Sequence, residues 1–148
     1  MNPGRTDPDE EPTLVLNLAN EPAVIEESRL AVVAFLEPLG IVAGTMNRVE
    51  VVLEELISNV IRHGHDVNSI MVVAGYRAGS IDLVVEDDGA EFDPLAKPDP
   101  APFTSLADAP LGGLGIALVR RLTCAARYDR VGTGAAARNR VSVSITNR

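Results

Sequence analysis

The chain has 148 residues, of which 46% are hydrophobic, and its 13 basic and 21 acidic residues give a formal net charge of −8. This length and composition predict one domain with a packed core. The acidic balance disfavours nucleic acid as the main partner, because a phosphate backbone would be repelled. The single cysteine, Cys124, excludes a disulfide framework and a multi-cysteine metal site. Because no secretory segment and no run of about 18 apolar residues is present, we expect a cytoplasmic protein that does not span a membrane.

The sequence of the first half of the chain predicts a tail, a strand and two helices. Residues 1–12 are rich in Pro, Asp and Glu and predict a disordered tail. Alternating leucines predict a strand at 13–19. An amphipathic pattern from about residue 22 predicts a helix that ends near Pro38 and Gly40. A second helix is expected from about 45 to 63, with Thr45 as a possible N-cap, and its predicted core stripe is Met46, Val49, Leu53, Leu56, Ile57 and Val60.

The second half predicts two hairpins separated by a loop and a helix. Strands are expected at 69–76 and 80–86, and again at about 126–131 and 140–146. Residues 90–110 contain five prolines and no sustained period, which indicates a loop. A third helix is expected from 113 to about 125, with an inward face of Leu114, Ala117, Leu118 and Leu122. This order predicts an α+β fold, a two-layer sandwich with three helices on one face of a mostly antiparallel mixed sheet.

The first of three short blocks lies on the second predicted helix. Glu55 and Asn59 are four residues apart, so they share one helix face. The Asn carbonyl is a hard oxygen ligand suited to Mg²⁺, and a nearby Glu can accept a proton from a group that attacks a γ-phosphate. An isolated pair of this kind is more often a solvated helix face.

The second block, Asp87-Asp88-Gly89, ends the apolar run of the second hairpin strand. An acid followed by Gly is an ordinary turn pair. The alternative is that the Asp87 carboxylate accepts a hydrogen bond from the exocyclic amine of adenine, a contact that would give strong selectivity. Gly89 would then leave room for the base to approach the backbone.

The third block, Gly112-Gly113-Leu114-Gly115, begins the third predicted helix. Free backbone amides at a helix N-terminus favour phosphate binding. Taken alone, the block is equally consistent with a flexible start to a helix. It is not a Walker loop, because no Lys-Ser or Lys-Thr follows, and it is not a dinucleotide fingerprint, because it follows a loop rather than a strand.

Together, in this order, the blocks resemble the GHKL ATPase superfamily, which includes gyrase B, Hsp90, histidine kinases and MutL. Glu55-x-x-x-Asn59 is similar to its N box, Asp87-x-Gly89 to its first glycine box, and Gly112-Gly113-Leu114-Gly115 to its second. The string from Gly112 to Leu122 and the stretch from Glu54 to His63-Gly64 most resemble bacterial anti-sigma factors with serine-kinase activity, of the RsbW and SpoIIAB type.

The resemblance implies a Bergerat, or histidine-kinase-like, ATPase fold over 13–148 with a lid at about 90–111. It implies ATP or ADP as the ligand, with Mg²⁺ as the cofactor. Glu55 would be the general base, Asn59 the Mg²⁺ ligand and Asp87 the adenine-binding acid. The remaining expected nucleotide-binding residues are His63, Gly89, Gly112, Gly113, Leu114 and Gly115.

The same resemblance implies partner switching. Such a protein sequesters a sigma factor and phosphorylates a serine or threonine on a STAS-domain anti-anti-sigma factor, and a homodimer is possible. The sequence departs from the family in two places: Glu91 stands where a second glycine is usual, and the predicted lid offers Lys97 but no arginine for the γ-phosphate. Because this arginine is missing, a second hypothesis stays open: the protein is a nucleotide-dependent interaction switch without kinase turnover. The catalytic half of a sensor histidine kinase is disfavoured, because the only histidines, His63 and His65, follow Asn59.

Overall fold

The computed structural model describes residues 11–96 and 114–148. Its helices and strands follow the predicted order of a strand, two helices, a hairpin, a third helix and a second hairpin. Their bounds are β1 Thr13–Ala19, α1 Ala23–Leu36, α2 Ala43–His63, β2 Ser69–Arg77, β3 Ser80–Asp87, α3 Leu114–Leu122, β4 Ala125–Val131 and β5 Arg138–Thr146.

The five strands form one sheet in the order β1-β2-β3-β5-β4. Each neighbouring pair in this sheet is antiparallel. The prediction was a mostly antiparallel mixed sheet, but no parallel pair occurs among the described strands. Hairpins join β2 to β3 and β4 to β5, and β5 rather than β4 pairs with β3. The predicted α+β sandwich with helices on one face is confirmed.

The core lies between the sheet and α2. Successive side chains of a strand point to opposite faces, and the inward series of the three central strands is apolar and buried: Ile70, Val72, Ala74, Ile81, Leu83, Val85, Val141, Val143 and Ile145. Helix α2 contacts α1, α3, β3 and β5, and its buried apolar residues are Val49, Val52, Leu53, Leu56 and Ile57. The two polar faces that matter below, on α2 and at the end of β3, are therefore held against one core.

Two local predictions are wrong. Thr45 does not cap α2, because the helix begins at Ala43 and Thr45 is buried in its first turn, where its hydroxyl exchanges hydrogen bonds with the backbone of Arg148 at 3.0 and 3.1 Å. On α3 the buried residues are Ile116 and Val119, whereas Leu118 is 39% exposed. That helix has only nine residues, and all except Arg120 and Arg121 are uncharged, so the spacing alone did not determine which face turns inward.

Parts of the predicted tail and lid lie outside the described residues, namely 1–10 and 97–111. The described beginning of the predicted lid, residues 90–96, ends in a short 3₁₀ turn at Pro94–Ala96. The guanidinium of Arg120 on α3 donates a hydrogen bond to the carbonyl of Leu95 in this turn. Among the described helices, none has the length and apolarity that a membrane span requires.

Candidate functional site

Asp87 is a polar residue at the end of an apolar row. It continues the inward series of Ile81, Leu83 and Val85 on β3, so the two-residue period of the strand turns its carboxylate toward the helix layer. The residue is only 8% exposed. It lines a pocket between the sheet and α2, together with Leu56, Asn59, Val60, Gly64, Val85, Phe92, Pro94, Asn139 and Val141.

Two hydrogen bonds fix the Asp87 carboxylate. Its Oδ1 accepts from the backbone N–H of Gly89 at 2.9 Å and from the side-chain amide of Asn139 at 3.0 Å. A carboxylate has two oxygens with about four acceptor sites. Because both bonds end on Oδ1, the other oxygen, Oδ2, can accept a hydrogen bond from a ligand.

Asn139 is not among the site residues predicted from the sequence. It lies on β5 directly opposite Asp87 in the strand register and is 4% exposed. Residues of β4 complete its surroundings: the Tyr128 hydroxyl donates to Asn139 Oδ1 at 2.7 Å, and Arg130 Nη1 donates to the same oxygen at 3.0 Å. Arg130 also donates to the carbonyl of Gly89 at 2.9 Å, so the second hairpin holds the end of β3.

Gly89 permits a close approach of two backbone segments. A Cβ at this position would lie 2.6 Å from the carbonyl oxygen of His65 and 2.6 Å from a methyl group of Val67. The next residue, Ala90, donates its N–H to the same carbonyl at 2.8 Å. The space that the missing side chain leaves is thus occupied by the connection from α2 to β2, whereas the predicted role of Gly89 was to leave room for a base.

Asp88 has a different role from its neighbour Asp87. Its Oδ1 accepts hydrogen bonds from the N–H groups of Asn68 at 2.8 Å and Ser69 at 3.1 Å, at the start of β2. Burial raises the pKa of Asp88, but the bonds from the amides of Ser69 and Asn68 outweigh this and lower the pKa overall. This carboxylate stabilises the beginning of β2 and does not line the pocket between the sheet and α2.

On α2, Asn59 and Glu55 face two different neighbours. Asn59 is half-buried and lines the pocket with Asp87. One turn earlier, the Glu55 carboxylate lies against Gly115 in the first turn of α3, so that a Cβ on Gly115 would lie 3.1 Å from Glu55 Cδ. The first and third sequence blocks therefore meet where α2 and α3 pack.

The remaining predicted nucleotide-binding residues are His63, Leu114, Gly112 and Gly113. His63 is exposed at the end of α2, and its ring centroid lies 6.4 Å from that of Phe92, at the side of the pocket. Leu114 is the first residue of α3. Gly112 and Gly113 lie outside the described residues.

The pocket chemistry fits a nucleobase, with apolar walls from Leu56, Val60, Val85 and Val141 and a carboxylate at its end. The cavity itself has a volume of about 20 Å³, which is about the space of one water molecule. A purine therefore needs the lining to move. Phe92 and Pro94 belong to the loop after β3, whereas most of the lining belongs to α2 and the sheet, so we expect the loop side to give way.

Comparison with known proteins places this arrangement in a family. The structure resembles the crystal structure of the RsbU and RsbW domains of Rv1364c from Mycobacterium tuberculosis, with a TM-score of 0.63 and 18% sequence identity over 91% of this chain. The match spans 32% of that longer chain and is a likeness of fold. No curated protein matched the sequence. Residues 18–144 match the histidine kinase-like ATPase domain, and the chain therefore belongs to this family.

Proposed function

We propose that this chain is an ATP-dependent serine/threonine protein kinase that also acts as an anti-sigma factor. It would bind a sigma factor and phosphorylate a STAS-domain anti-anti-sigma factor, in the cytoplasm. Membership of an ATPase domain family implies nucleotide binding. The likeness to a structure that contains an RsbW domain supports the kinase and anti-sigma roles. The observation on which the proposal depends most is the buried Asp87 carboxylate, held by two bonds to Oδ1 at the end of an apolar pocket.

At the end of the site that contains Asp87, the proposed ligand group is adenine. Asp87 Oδ2 would accept a hydrogen bond from the exocyclic amine, and the apolar residues would contact the ring faces. A base with a carbonyl in place of the amine would bring its oxygen against Asp87 Oδ2, and two hydrogen-bond acceptors would then face each other. A site that bonds a specific polar group rejects an analogue lacking it by several orders of magnitude.

At the other end, the proposed reaction is transfer of the γ-phosphoryl group. The substrate hydroxyl oxygen attacks phosphorus, the bond to the bridging oxygen of ADP breaks, and Glu55 accepts the hydroxyl proton. The backbone amides of Leu114 and Gly115, in the first turn of α3, would hold phosphate oxygens together with the amide of the preceding Gly113 in the sequence.

Mg²⁺, when bound, would neutralise charge on the phosphates, and Asn59 is its proposed protein ligand. Among the described residues, no group of three or more His, Cys, Asp or Glu side chains could hold a metal ion. This fits Mg²⁺, which usually takes one or two protein ligands and completes its shell with phosphate oxygens and water.

A second candidate function is a nucleotide-dependent interaction switch without turnover. One observation favours it: from 90 to 111 the sequence offers Lys97 but no arginine that could neutralise the transferring phosphoryl group. Arg120, which lies close to this loop, donates to the carbonyl of Leu95. Either function would be compatible with a homodimer.

The test is calorimetric titration of the purified chain with ATP and ADP, with and without Mg²⁺, followed by mass spectrometry of a co-incubated STAS-domain protein. Micromolar, Mg²⁺-dependent binding and an added phosphate on a serine or threonine of the partner would support the kinase. Binding with no phosphate added would support the switch. Absence of nucleotide binding would contradict both.

A further inference from the structure

The side chain of Asn139 takes part in five hydrogen bonds among the described residues. Its Nδ2 donates to Asp87 Oδ1 at 3.0 Å and to the carbonyl of Ala90 at 2.8 Å. Its Oδ1 accepts from the N–H of Phe92 at 3.1 Å and from the Tyr128 hydroxyl and Arg130, as described above. One side-chain amide therefore contacts the end of β3, the loop after it, and both of the inward polar residues of β4.

These partners allow only one orientation of the amide. A backbone N–H and a guanidinium can only donate, and the carbonyl of Ala90 can only accept. Burial, together with the nearby Glu91, raises the pKa of Tyr128, so the phenol keeps its proton and donates as well. If the amide were turned over, its NH₂ group would face three donors. The orientation that directs Nδ2 to Asp87 is therefore fixed by the surroundings.

From this network we infer that Asn139 is a positioning residue for base selection, which holds the Asp87 carboxylate and residues 90–92 together as one hydrogen-bonded unit. The inference rests on the proposed adenine contact of Asp87. It assigns Asn139 no contact with the nucleotide, because both ends of its amide are already occupied by protein groups. Its effect on the ligand passes through Asp87 Oδ1, whose two bonds leave Oδ2 able to accept a hydrogen bond from the ligand.

A consequence follows for the loop after β3. Ala90 and Phe92 are bound to the same amide that positions Asp87, and the Phe92 side chain lines the pocket. The backbone of these residues is anchored, so the movement that admits a base is expected in the Phe92 side chain and beyond. Loss of Asn139 should therefore free both the acid and the backbone beside it.

The experiment compares binding of ATP and ITP, which carries a carbonyl in place of the adenine amine. We expect Asn139→Ala to weaken ATP binding about tenfold, which corresponds to one lost hydrogen bond of about 1.4 kcal/mol, and to reduce the ATP-to-ITP affinity ratio. Asn139→Asp keeps the shape and Oδ1 but replaces the donor that faces Asp87 with an acceptor, so it should reduce the same ratio. The control is Val143→Ala, a buried change on the same strand outside the pocket, which should lower stability and leave the ratio intact.

A second measurement needs no nucleotide. The Phe92 amide proton should exchange slowly with solvent in the wild-type protein and faster in folded Asn139→Ala, because its acceptor is removed. If Asn139→Ala fails to fold, the ATP-to-ITP affinity ratio of Asn139→Asp alone tests the positioning role. Suppose that the wild-type protein binds ATP selectively and that the variants keep both the affinity ratio and the slow exchange of the Phe92 amide proton. That result would overturn the positioning role of Asn139 and leave the adenine contact of Asp87 standing. Wild-type protein that does not prefer ATP would overturn the adenine contact, and this inference with it.

Discussion

The two ends of the site are held by different kinds of contact. At the end with Asp87, strands β3, β4 and β5 and the loop after β3 are joined by hydrogen bonds of 2.7 to 3.1 Å that meet on Asn139 and Asp87. At the end with Glu55, the contact is steric, since the carboxylate lies where a side chain on Gly115 would be. The first end depends on strand register and the second on how closely two helices pack.

This difference indicates what each end can do. Groups held by several directional bonds keep one orientation, which suits discrimination between similar ligands. A carboxylate at a helix contact can adjust by small rotations of its side chain, which suits a group that must follow a reacting atom. Substitutions at the Asp87 end should therefore change affinity and selectivity, and substitutions at the Glu55 end should change the rate of phosphoryl transfer.

Glu55→Ala should have the largest effect. Removal of a general base lowers rates by about 10²- to 10⁴-fold, whereas ATP affinity should remain nearly unchanged because Asp87 is untouched. Phosphorylation of the partner in single-turnover assays, with calorimetry for binding, measures the two separately. Glu54→Ala is the matched control, since Glu54 is exposed on the adjacent position of α2. Equal phosphorylation rates in both variants would remove Glu55 as the base.

Asp87→Asn should weaken ATP binding by about 10- to 100-fold, the range for a hydrogen bond to a charged group. The new amide can keep its oxygen toward Gly89 and Asn139, so the fold is retained, but its NH₂ would then face the adenine amine. Asp88→Asn removes the same charge from the neighbouring residue and should bind ATP as the wild type does. If both variants bind equally well, recognition does not depend on Asp87.

Gly115→Ala should lower the phosphoryl-transfer rate about tenfold and leave ATP affinity largely intact. The added methyl group would displace the Glu55 carboxylate, which is the mobile end of its side chain, and a misplaced catalytic group loses much of its effect. Gly44→Ala on α2 is the control, because a Cβ there would have no atom within 4 Å. A rate unchanged by Gly115→Ala would show that the contact with α3 does not position Glu55.

Asp88→Ala should have the smallest effect, a loss of about 1 kcal/mol in the free energy of unfolding as its bonds to Asn68 and Ser69 disappear. Because folding lowers the pKa of Asp88 below its usual 3.8, the carboxylate stabilises the fold above that pH and the contribution is lost as the pH falls below it. Thermal unfolding of wild type and variant should therefore differ at pH 7, and the difference should shrink as the pH falls below 3.8. A constant difference across this range would exclude the charge as its origin.

Local sequence patterns predicted where three of the site residues lie, but they did not predict the contacts that complete the site. The apolar run before Asp87 placed this residue at the end of a strand, and the i,i+4 spacing placed Glu55 and Asn59 on one helix face; both placements agree with the structure. Their functional roles remain predictions. Asn139 was missed because the predicted strand began at 140 rather than 138, and because its partner lies 52 residues earlier, a pairing that no local period reveals.

Tertiary contacts also explain the errors elsewhere. Thr45 has a side chain typical of a helix cap, but in the fold it bonds the backbone of Arg148, a partner 103 residues away. Leu118 and Ile116 are both apolar, and only the packing of α3 on α2 and β4 decides that Ile116 is buried.

The order of the strands has a consequence for biosynthesis. Asp87 leaves the ribosome well before Asn139, Tyr128 and Arg130, yet all four meet at one end of the pocket. A nascent chain that ends before β5 has the acid but lacks the amide that orients it, so it should have little preference for ATP. Selective nucleotide capture would thus begin only when the last hairpin has joined the sheet.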